Sequence, residues 1–365
     1  MANKAFPAAT RAIVLRKSAV AKSPTYHDAR LEQRPIPPLT NGQVLVKIGA
    51  VGFNRRELWQ RLGQYPGIAM GTVIGADGAG TVVASADPSD TLLNRRVFIC
   101  PLRGWDTDPE TPEGTLRILG GTDDPGVGTF AEYVVIERSQ VIPSPEHLND
   151  VQTASWPVGG VTAWRAVAVN GEVREGHNVL ITGIGGGVAL LALQICVAKK
   201  ARVWVSSSSE EKIRKAVDLG ASGGVNYKAK TWPSDLAALI SAQQGNGALL
   251  DVIIDSGGGD ILGQAGKFLK HGGRVVCYGM TAAPLVKFTM RDVMRNHKLI
   301  GSTMGSRQDL LDGTEFLSKH RIVPVVSHVL DGLESAEKGF ELLRQGEQFG
   351  KVVIQVDGVP QKAKL

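Results

Sequence analysis

Cysteine is scarce in this chain of 365 residues: there are three, Cys100, Cys196 and Cys277, and no two form a C-x-x-C pair. That spacing excludes a disulfide framework and a four-cysteine zinc cluster, and it suits a reducing compartment. Aromatic residues are 5% of the chain, and its 41 basic residues are scattered, with no dense block or aromatic-interleaved stripe. The net charge of +6 and pI near 9.2 therefore point to a mildly basic surface or an anionic ligand rather than a nucleic-acid partner. No apolar run approaches the roughly 20 residues that span a bilayer, and nothing near the start has the build of a secretory signal. A soluble, non-secreted chain without a membrane partner is expected.

Glycine, by contrast, is plentiful: 44 residues beside a hydrophobic content of 43%. This is the balance of a glycine-rich α/β protein, long enough for one large or two moderate domains. The opening "MANKAFPAATRAIVLRKSAVAKS" is basic and acid-free like a transit peptide, but "RAIVL" reads better as a first strand. At the other end Ala363-Lys364-Leu365 is a conservative variant of the S-K-L peroxisomal address. A peroxisomal location is expected, with the cytoplasm as the alternative.

Residues 1–158 carry short β-runs punctuated by Pro and Gly, such as "VLVKIGAVGF", "GTVIGADGAGTVV", "RRVFICP" and "GTFAEYVVI". These predict a mainly antiparallel domain. Over 159–305 apolar strands alternate with helices ("NVLIT", "ALLALQICVAKK", "RVWVS", "EEKIRKAVDLG", "DVIIDS", "GQAGKFLKHG", "RVVCYG"), the pattern of a doubly wound parallel sheet. Residues 306–365 end in "GKVVIQV", a strand expected to return to the first domain. The fold class expected is α/β, with the doubly wound unit inserted into the β-rich one.

The clearest chemical signal is "NVLITGIGGGVALLALQI", a strand, a glycine run at 183 and 185–187, and a helix starting near Val188. Backbone N–H groups at such a helix N-terminus hold a pyrophosphate, which the helix dipole favours. Gly183, Gly186, Gly187 and Val188 are thus candidate cofactor contacts, and a second strand about 20 residues on completes the dinucleotide-binding context. An NAD site usually places an acid at the end of that strand. Here the strand ends in "SSSSEEK": hydroxyls at 206–209 and Lys212 suit a 2′-phosphate, while Glu210 and Glu211 fall on the first helical turn, where acids complement the dipole. The reading favours NADPH.

Taken together, "GADGAG", "GTFAEYVVI", "PVGGVTAW", "ITGIGGGVA", "KAVDLGASGGVNYK" and "GKVVIQV" resemble the medium-chain dehydrogenase/reductase superfamily along nearly the whole chain. The resemblance implies a GroES-like catalytic domain with an inserted Rossmann domain, a nicotinamide cofactor in the cleft between them, and often a homodimer formed through the Rossmann sheets. Gly183-x-x-Gly186-x-x-Ala189 looks like the quinone oxidoreductase branch. In that branch residues placed as Ser208, Lys212 and Tyr227 hold the 2′-phosphate, and Ser207 lies beside them. By motif the resemblance also assigns Thr162 to the nicotinamide side and Phe349, Gly350 and Lys351 to a late cofactor contact. Gly257 in "DSGGG" and Gly279 and Met280 in "YGMT" lie at the carboxyl edge of parallel strands, where such sheets bind ligands. Met304 and Gly305 flank the nicotinamide or form a hinge.

Zinc-dependent relatives carry Cys, a His within "GHE", and a third Cys or Asp as catalytic ligands. The matching positions here are Asn54, Ala76 and Val158, which offer no equivalent ligands, so no metal is expected. The four-cysteine structural-zinc loop is replaced by "RGWDTDPETPEGTLRILGG", whose acids lack the spacing of a calcium loop and read as a surface loop or lid. Without a Lewis acid, hydride transfer is easiest to acceptors that delocalise charge themselves, namely quinones and α,β-unsaturated carbonyls. Asn54 and Tyr65 are the catalytic candidates; the alternatives are that Asn54 closes a local turn and that Tyr65 is an ordinary packing residue. Arg55 and Arg56 are candidates to steer an anionic substrate. Two alternatives stand beside a zinc-independent NADPH-dependent reductase: an alcohol dehydrogenase-like carbonyl reductase, and an NADPH-binding regulatory or RNA-binding protein with vestigial catalysis. Asp77, inside "TVIGADGAGTVV", matches the Glu of "GHE" and is expected to be a structural acid paired with a nearby arginine.

Overall fold

The computed structural model describes residues 6–20, 23–122 and 126–356. The expected address at 363–365 lies outside the described residues. The chain forms two compact units, one made of residues up to Val158 and from Val323 onward, the other of Gly159–Ile322.

The first unit opens with the antiparallel pair β1 (Ala9–Arg16) and β2 (Asp28–Pro35). Next come β3 (Gln43–Gly52), the short helix α1 (Arg55–Arg61), β4 (Asp77–Ser85) and β5 (Arg96–Ile99). The small ribbon of β6 (Leu102–Arg103) and β7 (Arg117–Ile118), then β8 (Tyr133–Glu137), β9 (Val141–Pro143) and the turn of helix α2 (Asp150–Thr153) complete this segment. β3 is buried along most of its length and carries the β-branched Val44, Val46, Ile48 and Val51, so it serves as the central strand. The glycines around it are there for close approach. Gly75 has φ +91°, and a side chain there would overlap the Phe130 ring; one at Gly80 would overlap the Lys47 carbonyl. They let β4 and its entry seat tightly against β3 and Phe130.

In the second unit α3 (Pro157–Trp164), which starts at the unit boundary, leads to a parallel sheet of β10 (Asn178–Ile181), β11 (Arg202–Ser207), β12 (Gly223–Asn226), β13 (Leu250–Asp255), β14 (Leu269–Cys277) and β15 (Lys298–Gly301). The spatial order is β12-β11-β10-β13-β14-β15, all parallel. Helices α4 (Gly187–Ala198), α5 (Glu210–Asp218), α6 (Trp232–Gln244), α7 (Ile261–Ala265) and α8 (Met290–Met294) lie between the strands, and α9 (Arg307–Lys319) follows β15. β10 is fully buried and β11 and β13 nearly so, as a sheet covered on both faces requires. Two expectations are corrected here. "GQAGKFLKHG" is not one helix: α7 ends at Ala265 and Leu269 already opens β14, because Gly263 and Gly266 weaken the helix while Leu269 pairs with Leu250. The second unit also runs past 305 to Ile322, because Asp309 of α9 makes a buried ion pair with Arg165, 2.9 Å away.

The chain then returns through β16 (Val326–Asp331), α10 (Ala336–Gln345) and β17 (Lys351–Gln355). β17 pairs antiparallel with β3, giving the main sheet the order β16-β17-β3-β4-β5-β9, with β8 also on β3. "GKVVIQV" therefore does close the first unit, and the α/β unit is an insertion.

Candidate active site

The candidate residues form two groups, one in each unit. In the second unit the chain leaves β10 at Thr182 and turns into α4 through Gly183 at φ +66° and Gly185 at φ +122°, conformations that favour glycine. Gly186, the N-cap of α4, has an ordinary φ of −76°, and a side chain there would meet no atom nearer than the Gly183 carbonyl oxygen at 4.0 Å. The protein's own packing does not explain that glycine. It leaves open space over the first turn of α4, where Gly187 and Val188 follow and no side chain caps the helix N–H groups. Such a cradle fits a pyrophosphate.

Beside the cradle lies the end of β11. Lys212, on the first turn of α5, folds back over the glycine loop: a β-carbon on Gly185 would sit 2.9 Å from its Cδ and 3.5 Å from its Nζ. The two acids before it are occupied elsewhere, Glu211 pairing with Lys215 at 2.6 Å and Glu210 accepting from the Asn226 amide at 3.0 Å. Of the four serines, Ser206 and Ser207 are buried, the Ser207 hydroxyl accepts from the Ser209 N–H, and Ser209 caps α5 through the Lys212 N–H. The run of four hydroxyls thus reduces to the half-buried Ser208, and Ser207, expected to touch the cofactor, is turned inward to shape the turn. Tyr227 is half exposed, and its N–H donates to the Ser207 carbonyl, which brings it to the same strand end.

At the next strand ends, Asp255 accepts from the Thr182 hydroxyl at 2.6 Å and from the Gly258 N–H at 2.7 Å, pinning "DSGGG" to the end of β10. A side chain on Gly279 would press on the Ser256 carbonyl, while the next side chain, Met280, is 56% exposed. Half-buried Gly257 lies in the "DSGGG" loop after β13. Thr162 and Met304 also meet, the hydroxyl 3.8 Å from the Met304 sulfur, and Met304 holds φ +50°, a strained conformation for that residue.

In the first unit Asn54 stands between β3 and α1, with Asp77 at the start of β4 and Lys351 at the start of β17. The buried Lys351 ammonium donates to Asn54 Oδ1 at 2.7 Å and to Asp77 Oδ2 at 2.8 Å. Asn54 Nδ2 donates to the same Asp77 oxygen at 3.0 Å, and Asp77 Oδ1 accepts from the Val158 N–H at 2.8 Å. Lys351 thus lies within the Asn54 and Asp77 cluster. Phe349 and Gly350 form the approach to β17. Below the cluster, Glu57 accepts from the Asn54 N–H and from Arg56; complete burial is the main influence on its carboxyl and raises the pKa.

Three expectations change at this site. Asp77 pairs with Lys351 and Asn54, not with an arginine, because β17 delivers the lysine beside it. Arg56 is buried on Glu57 and the carbonyls of Leu119 and Gly120, and Arg55 donates to the Leu343 carbonyl, so both already serve the fold rather than standing ready for a substrate. Tyr65 stacks on the Arg56 guanidinium at 4.9 Å, the contact of a packing residue.

The donor set at the zinc-ligand positions does not fit the metal. Ala76 and the Val158 side chain are buried and apolar, the Asn54 oxygen is taken by Lys351, and among the described residues no three His, Cys, Asp or Glu side chains cluster to hold a metal. In the surface loop Glu113 turns inward to accept N–H bonds from Asp106, Thr107 and Asp108, which lower its pKa to about 2. Sequence reasoning missed the Asn54–Asp77–Lys351 cluster and the Thr182–Asp255 bond. The only hint was polarity at the end of apolar strands.

The comparisons agree with this architecture. The family model described as alcohol dehydrogenase GroES-like domain matches residues 40–146, and that described as zinc-binding dehydrogenase matches 187–319. A zinc-type alcohol dehydrogenase-like protein, YogA, of Leptosphaeria maculans is 39% identical over 344 residues, covering 91% of this chain and 95% of that protein. The solved structure of an NAD-dependent alcohol dehydrogenase is 30% identical, with a TM-score of 0.80 over 95% of this chain and 99% of the other. The 2-octenoyl-CoA carboxylase reductase CinF, solved with NADP and 2-octenoyl-CoA, has a TM-score of 0.83 at 23% identity, covering 98% and 90% of the two chains, and so shares the fold. With a GroES-like unit, an inserted Rossmann unit and a relative matching nearly end to end, this chain belongs to the medium-chain dehydrogenase/reductase superfamily of oxidoreductases.

Proposed function

We propose that this oxidoreductase works without zinc and uses NADPH to reduce a quinone or an α,β-unsaturated carbonyl. The observation that carries the reading is the replacement of the metal's ligands by Asn54, Ala76 and Val158, with the Lys351 ammonium held beside them. The cofactor would supply the hydride. The chain's own part is to hold it and to stabilise the charge left on the acceptor. The α4 cradle fits the pyrophosphate, and Lys212 over Gly185 supports a 2′-phosphate in preference to a bare ribose, since the nearby acids are engaged away from that point. On the acceptor side the Asn54 amide offers an N–H to a developing enolate or hydroquinone oxygen, a modest stabilisation that suits acceptors able to spread the charge.

The test is a titration of the purified protein with NADPH and NADH, followed by turnover on quinones, alkenals and enoyl thioesters beside simple ketones and alcohols. Tighter NADPH binding, turnover on the conjugated acceptors and no stoichiometric zinc by metal analysis are expected. Bound zinc, or turnover confined to alcohols and simple ketones, would instead favour the alcohol dehydrogenase-like reading that the relatives' names suggest. Two further parts of the proposal have separate tests. A second copy is proposed to cover the edge strand β15, where Met290, Val293 and Met294 stand exposed next to it in sequence; light scattering should give a dimer for the wild type and a monomer for M294D. A fluorescent fusion with and without residues 363–365 tests the peroxisomal address.

A further inference from the structure

The Asn54 side chain has a bonding pattern that fixes its orientation. Lys351 Nζ is a donor only, so the amide atom facing it must be the oxygen; a carboxylate accepts, so the atom facing Asp77 must be the nitrogen. Both contacts are short, at 2.7 and 3.0 Å, and a third, from Lys351 to Asp77 at 2.8 Å, closes the ring. Flipping the amide would set two donors against each other at Lys351 and two acceptors at Asp77. One N–H of Nδ2 remains outside this ring, on a residue that is half exposed while Asp77 and Lys351 are buried. The first unit thus presents the outside with a donor whose direction is set from behind.

We infer that Lys351 is a positioning residue: its ammonium locks Asn54 as an N–H donor, and it brings a fixed positive charge to the place where related enzymes carry a metal. This rests on the reductase reading above for its catalytic consequence, but not for its geometry. It differs from the expected role of Lys351 as a cofactor contact, because the ammonium is 2.7–2.8 Å from two protein acceptors and its side chain is 5% exposed. It also differs from a bare counter-ion role, in which Lys351 only neutralises the buried Asp77. An amide turned the wrong way would present its oxygen to a developing anion. Misplacing a catalytic group by such a margin typically costs about 100-fold in rate.

The experiment uses the full chain labelled with 15N at asparagine, with the Asn54 side-chain signal assigned by its loss in N54D. In the wild type one Nδ2 proton should lie well downfield of its partner, as expected of a bond to a carboxylate. K351M should shift that pair of signals, because the amide oxygen loses its charged partner, and K351R should restore them. Alongside, K351M should keep NADPH affinity within about threefold by fluorescence titration and lower kcat about 100-fold at little-changed KM, as expected for a lost orientation. The double variant K351M/D77N removes both buried charges, guards against a simple folding defect, and should not recover kcat. An unchanged Asn54 signal in K351M overturns the inference. So does a loss of NADPH affinity as large as the loss of kcat, which would make Lys351 a cofactor contact, or recovery of kcat in the double variant, which would make it a counter-ion. If the wild type reduces no quinone or enone and the amide signal still responds to K351M, the proposed substrate class fails and the positioning role stands.

Discussion

Lys212 is one of several residues whose position in the chain says less than their direction. Two glutamates precede it and would repel a phosphate, yet Glu210 and Glu211 are bonded to Asn226 and Lys215, and the lysine alone folds over Gly185. Replacing Lys212 by Ala removes a charge-assisted hydrogen bond, a loss of about 1.5–3 kcal/mol, or roughly 10- to 150-fold in affinity. That loss should fall on NADPH and spare NADH in paired fluorescence titrations; equal losses would overturn the phosphate assignment. Glu113 makes a pH prediction. Its folded-state pKa of about 2 lies below the ordinary 4.5 because backbone N–H groups favour the charged form. Its contribution to loop order is therefore complete above about 4.5 and is lost as pH falls through about 2. Limited proteolysis should find the 106–113 loop as resistant at pH 5.5 as at pH 7 in the wild type, and already cleaved at pH 7 in E113Q.

Among elements, the glycines divide into two classes that a sequence cannot separate. Gly75 and Gly80 are required by the protein itself, whereas Gly186 borders open space. G75A should destabilise by roughly 2–4 kcal/mol, from a strained φ and an overlap with Phe130. G186A, at φ −76°, should leave the melting temperature unchanged or slightly raised while weakening dinucleotide binding more than tenfold, since its methyl would stand where a pyrophosphate must approach. If both variants lose stability together, the cradle is only a packing feature. The glycine run and its flanking strand and helix were legible because they are contiguous and periodic. The break of "GQAGKFLKHG" into α7 and β14 was not, because the pairing of Leu269 with Leu250, which decides it, is a tertiary contact.

For the whole molecule, insertion makes the two units unequal. Gly159–Ile322 is one continuous stretch with its own sheet and core, whereas the first unit needs β17, from beyond the insertion, to pair with β3. Residues 159–322 expressed alone should melt cooperatively by circular dichroism. A chain ending at 322 should keep that transition and lose the one belonging to the first unit.

The sequence by itself determined the fold class, the inserted order of the units and the glycine cradle, because local periodicity and contiguous motifs encode strands, helices and tight turns. It also carries the proposal of a zinc-free site, since Asn54, Ala76 and Val158 offer no donors equivalent to the cysteine and histidine of a zinc site. Tertiary structure alone decided what stands there instead. Lys351 reaches Asn54 across 297 positions of sequence and Asp77 across 274, a meeting set by the pairing of β17 with β3. No local pattern records that separation, and so the acid in "TVIGADGAGTVV" showed its partner only once the sheet had closed.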